Sequence, residues 1–77
     1  METSLNRLPL LKLGYIKNLL VDKKTKCKLL SLGFIPETAI KPVFSNFSGN
    51  LRAYEVRKAI IALRDTDANK IRVDVSI

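Results

Sequence analysis

With 77 residues, the chain has room for one small domain and excludes a two-domain enzyme. Its composition, 47% apolar and 27% charged, is that of a globular chain, too hydrophobic to stay disordered. Lys and Arg number 14 against 7 Asp and Glu, and the resulting net charge of +7 points to an acidic partner or surface.

The first residues carry no basic head leading into a long apolar run, so neither a leader nor a membrane span is expected. Leu8, Leu11 and Gly14 space out a short apolar turn, and residues 15–21 read as the first strand. Residues 22–33 predict a helix that Asp22 or Thr25 caps and Gly33 ends in the left-handed position. Cys27, Leu29, Leu30 and Leu32 are its expected buried side, and Lys23, Lys24, Lys26 and Lys28 stay in water.

Pro36-Glu37-Thr38 follows as a turn with proline at its second position. Residues 39–44 form a strand that Pro42 confines to an edge or a bulge, and residues 45–50 form an exposed hairpin loop. Residues 51–57 and 60–64 make a tight hairpin, with Tyr54 and Val56 on one face and Arg52, Glu55 and Arg57 in exposed or rim positions. Asp65 and Asp67 cap a single helical turn, and residues 71–75 alternate as a closing strand. The expected fold is mainly β: a small five-stranded antiparallel barrel, strongly bent, with one inserted helix and a helical turn before the last strand, its closure removing exposed edges. It forms a single domain over residues 1–77, monomeric or weakly homo-oligomeric.

Chemistry is sparse. One cysteine and no histidine exclude an internal disulfide, a soft metal cage and the usual neutral-pH base. The four helix lysines could lower the Cys27 pKa, but the plainer role is a small apolar residue on the buried side. Asp65 and Asp67 are expected to cap rather than to bind metal, and with Asp74 they offer only weak, unselective oxygen ligands. No phosphate-binding glycine motif occurs. Of the aromatics, Phe47 is expected in an exposed loop, and Tyr15, Phe34, Phe44 and Tyr54 in the core, which leaves a thin stacking platform for nucleic acid.

Three strings in order, Leu8-x-x-Leu11-x-x-Gly14, then residues 29–38 (Leu-Leu-Ser-Leu-Gly-Phe-Ile-Pro-Glu-Thr), then Glu55-Val56-Arg57-Lys58 with Ile61-Ala62-Leu63-Arg64, Ala68 and Ile71-Arg72-Val73, resemble the ferrous iron transport protein A (FeoA) family. The resemblance covers about residues 8–75. It implies an SH3-like barrel, no catalysis and no cofactor, a cytoplasmic location at the inner membrane through a partner, and a role beside FeoB, a membrane iron transporter with a cytosolic G domain. The family name also carries transition-metal binding, which these residues do not support. The sequence departs from the family where Glu37 replaces the glycine of a proline-glycine-threonine turn. It departs again at Lys58, which replaces a glycine after valine-arginine and would bear left-handed strain of about 1 kcal/mol in an unchanged hairpin.

The expected role is therefore a non-catalytic protein-protein adaptor, with Lys23, Lys24, Lys26, Lys28, Phe47 and Arg52 as candidate partner-binding residues and Lys12 and Lys17 extending the basic face. The alternative is a nucleic-acid-binding β-barrel.

Overall fold

The computed structural model describes residues 1–75. Strand β1 (Glu2–Ser4) leads through a 3₁₀ turn (Leu5–Arg7) and a loop into β2 (Gly14–Leu19) and helix α1 (Lys23–Ser31). Strand β3 (Ala39–Ser45) and the hairpin of β4 (Leu51–Val56) and β5 (Ala59–Arg64) follow, then a short helix α2 (Asp65–Ala68) and β6 (Ile71–Val75). All strands join one antiparallel sheet in the order β1-β6-β2-β3-β4-β5.

The fold is thus the mainly β, SH3-like one expected, with six strands instead of five. β1 escaped the reading because three polar residues, Glu2, Thr3 and Ser4, show no apolar alternation; backbone pairing with residues 72–74 defines it. The expected closure is also incomplete. β1 and β5 end the sheet without pairing to each other, and the 3₁₀ turn and α2 lie between them.

Period-two alternation builds the interior. Ile71 and Val73 point inward from β6, and Tyr54 and Val56 from β4, to meet Leu5, Ile16, Ile40 and Phe34 in one core. The same alternation puts Arg52 on the inner face, two and four residues before Tyr54 and Val56, and it is 9% exposed rather than at the rim. Its guanidinium donates to the carbonyl oxygens of Asn6 and Leu8, both at 2.8 Å, and so ties β4 to the 3₁₀ segment. Asn6 in turn donates to Asp65 at 3.1 Å and accepts from Ser4 Oγ at 2.6 Å, joining α2 to the same end. Asp65 therefore serves this network instead of capping α2, and Asp67 does not cap either.

Pro42 sits at a bulge between Pro42 and Phe44 and beyond the residues of β3 that pair with β2, where its missing N–H costs no ladder bond. Both departures from the family turns are absorbed by left-handed backbone: Glu37 takes φ 74°, and the hairpin turn places Arg57 at 51° and Lys58 at 69°, a primed turn built without glycine. Thr38 N–H still closes the first of these turns on Ile35 O at 3.0 Å.

Candidate partner-binding surface

Asp22 occupies the N-cap position of α1 with extended backbone, but neither its side chain nor that of Thr25 makes the expected capping hydrogen bond; the nearby Thr25 hydroxyl and N–H still hold the Asp22 pKa below the usual value. At the far end Phe34 N–H bonds Leu29 O at 3.0 Å and Gly33 N–H bonds Leu30 O at 3.1 Å, the Schellman pattern, with Gly33 at φ 103°. The paired apolar contact of that motif joins Leu29 and Phe34 in the core and fixes how the helix lies on the sheet.

Only Leu29 is fully buried on α1, with Leu30 half-buried. Cys27 is exposed, and so is Leu32, at 41%. Residues two apart on a helix lie about 200° around the axis from each other, so Cys27 faces away from Leu29 and into solvent among the lysines. Leu32 lies just past the last helical residue, where it borders a surface groove.

Lys23, Lys24, Lys26 and Lys28 are all exposed, and among the described residues none has an ion-pair partner. The first turn of α1 has no acidic residue. Cations at the positive end of a helix are unfavourable by several tenths of a kcal/mol each, so helix stability does not select Lys23 and Lys24, whereas Lys28 in the last turn is favourably placed. Lys12 is exposed as well, whereas Lys17 is held by Glu37 at 2.8 Å, which raises its pKa. The free basic face is thus narrower than residues 12–28 as a whole.

Phe47 stands fully exposed in the loop after β3. The loop is pinned from within: Asn46 donates to Asn50 at 2.7 Å, Ser48 to the same oxygen at 2.9 Å, and Leu51 N–H to Asn46 Oδ1 at 3.2 Å. Leu51, directly after the loop, lines the groove that Lys28 and Leu32 border, so the loop and the C-terminal half of α1 flank one surface. Arg52 does not belong to it. Tyr15 and Phe44, expected in the core, are 37% and 63% exposed, and Phe44 points outward because the bulge at Pro42 shifts its register.

Asp65, Asp67 and Asp74 do not converge. Asp65 accepts from Asn6, and Asp74 holds the N-terminal ammonium at 3.1 Å. Among the described residues no three His, Cys, Asp or Glu side chains come together.

A family model for the FeoA domain matches residues 3–75. The chain belongs to the FeoA family. No curated protein matches it. Among solved structures, iron(II) transport protein A from Clostridium thermocellum is 30% identical, with a TM-score of 0.89 over 95% of this chain and 45% of that one. Stenotrophomonas maltophilia FeoA complexed with zinc, described as a prokaryotic SH3 domain protein and a candidate ferrous iron transport activating factor, is 24% identical with a TM-score of 0.78, covering 94% and 89%. A manganese-dependent transcriptional repressor shares the fold at 13% identity, with a TM-score of 0.86 over 97% of this chain and 37% of that one. The FeoA fold therefore serves both free-standing and regulator-borne domains, and the surface must carry the argument for function.

Proposed function

We propose that this FeoA-family chain is a non-catalytic accessory protein of ferrous iron uptake that docks, through the basic face of α1, on an acidic cytosolic surface of a FeoB-type transporter. The observation that carries the reading is the set of four exposed helix lysines without ion-pair partners among the described residues, two of which, Lys23 and Lys24, stand in the first turn where the helix dipole disfavours them. Nothing in the core explains them, whereas an acidic partner does. Family membership supplies the iron-uptake setting. Among the described residues no helix is long and apolar enough to cross a membrane.

Exchanging both Lys24 and Lys28 for Glu tests this. Binding to the purified cytosolic G domain of the transporter is expected to fall about tenfold or more at low salt, with the fold unchanged. Undiminished binding of the double variant overturns the helix face as the docking site.

The alternative, a nucleic-acid-binding barrel, draws on Phe44 and Phe47, which together expose more aromatic surface than the sequence suggested. Its test is a mobility shift with single-stranded RNA and DNA at low salt; a flat titration removes it.

A further inference from the structure

The two ends of the sheet are guarded unequally. β1 is three polar residues long, and its Glu2 is held by Arg72 at 3.2 Å. β5 is six residues long and reads Ala59-Ile60-Ile61-Ala62-Leu63-Arg64, with no charge before its last position. Natural sheets blunt their edges with short strands, charges or proline, and β5 uses none of these along its first five residues.

The hairpin register says which groups this edge presents. Val56 and Ala59 flank a two-residue turn and form its closing hydrogen-bonded pair, so Ala59, Ile61 and Leu63 spend their N–H and C=O groups on β4. Ile60 and Ala62 then aim theirs away from the sheet, as Arg64 does its N–H, while the Arg64 carbonyl opens α2 as its N-cap. Among the described residues no turn, loop or cap backbone hydrogen bond reaches Ile60 or Ala62.

This edge is one wall of a groove of about 280 Å³ whose opposite wall is α1. Leu29 and Leu32 face Ile61 and Leu63 across it, and Lys28 and Arg64 stand at its rim with one acid, Asp67. We propose that the groove takes an extended acidic segment of the partner protein, added to β5 as a seventh strand. Main-chain groups of the segment pair with Ile60 and Ala62 and with the N–H of Arg64. One set of alternate side chains turns toward α1, filling the space beside Leu32 with apolar groups and meeting Lys28 at the rim, and the other carries carboxylates toward Arg64. Charge decides the occupant: a second copy would bring +7 against +7, while an acidic strand meets the two rim cations. The groove walls hold no aromatic side chain, which separates the site from a proline-rich peptide cleft.

The proposal deepens the adaptor reading, on which it rests for an acidic partner, by naming the form in which that partner arrives. Selection from a displayed library of random twelve-residue peptides against the full chain supplies the probe. The expected winners alternate apolar with acidic residues. As synthetic peptides they should lose at least tenfold in affinity for Ala62→Pro, which removes an outward N–H, and for Lys28→Glu with Arg64→Glu.

Should Ala62→Pro not fold, N-methylation of the winning peptides on the wild-type protein gives the same answer. Methyl groups on one set of alternate amides abolish binding, and those on the other set leave it intact. No enrichment, enrichment of basic or proline-rich peptides, or indifference to N-methylation overturns the groove. The adaptor reading is scored separately, with the folded acidic domain and Lys23→Glu with Lys24→Glu, a pair that does not line the groove.

Discussion

Arg52 and the lysines of α1 carry the same charge, and the molecule uses them in opposite ways. Arg52 is enclosed and donates to two carbonyl oxygens at 2.8 Å, holding β4 against the 3₁₀ segment. The four helix lysines are in water, and among the described residues none of them is in an ion pair. The net charge of +7 is therefore a sum over different jobs, and only the exposed, unpaired part of it is available to a partner. Charge counted from composition says that a partner is expected; burial says which cations can meet it.

The largest effect is expected from breaking the buried side of this contrast. Arg52→Ala leaves the carbonyls of Asn6 and Leu8 without their donor and should lower stability by about 3 kcal/mol in urea unfolding. A loss below about 0.5 kcal/mol would return Arg52 to the surface set. Next comes the helix that presents the lysines. Gly33→Ala puts a Cβ on a residue at φ 103°, 3.1 Å from Arg57 Cδ, and should cost about 1–2 kcal/mol in the same measurement. An unchanged midpoint would mean that the Schellman end does not hold α1 in place.

A smaller effect sharpens the picture inside the core. The Tyr54 hydroxyl is buried without a hydrogen-bond partner among the described residues, and Arg52 lies 5.7 Å from its ring centroid. Burial pushes the Tyr54 pKa up, with the Arg52 charge opposing. The folded state thus favours the neutral phenol. Its contribution to stability is complete below the unfolded tyrosine pKa near 10 and is lost as pH rises through the higher folded value. Tyr54→Phe should be neutral or stabilising by up to about 1 kcal/mol at pH 7, and should flatten the stability decline above pH 10. A loss of more than about 1 kcal/mol would reveal a hydrogen bond that the hydroxyl makes to water.

Much of this was legible in the residues, because the signals were local. Gly33 after Leu29-Leu30-Ser31-Leu32 marks a helix end, Pro42 marks a bulge, and Ile71 to Val75 alternates as a strand must. What escaped reading depends on phase or on distant partners. Arg52 shares the inward phase of Tyr54 and Val56, so the alternation itself held the answer, but arginine is seldom buried without partners, and its partners here are backbone atoms 44 and 46 residues away. Its neighbours in sequence group Cys27 with the buried leucines, although two residues along a helix turn a side chain to the opposite face. β1 exists because residues 72–74 offer it a ladder. Of the candidate site, the lysines and Phe47 were found from their surroundings, whereas the groove beside β5 requires knowing that this strand ends the sheet.

The central claim is that the helix lysines act on a partner and not on the fold. Calorimetric titration of the wild-type chain and of Lys24→Glu with Lys28→Glu into the cytosolic G domain of the transporter, at low and at physiological salt, tests it most directly. The account predicts stability within about 0.5 kcal/mol of wild type and an affinity about tenfold or more weaker, the difference shrinking as salt is raised. Equal affinity with an intact fold would contradict it.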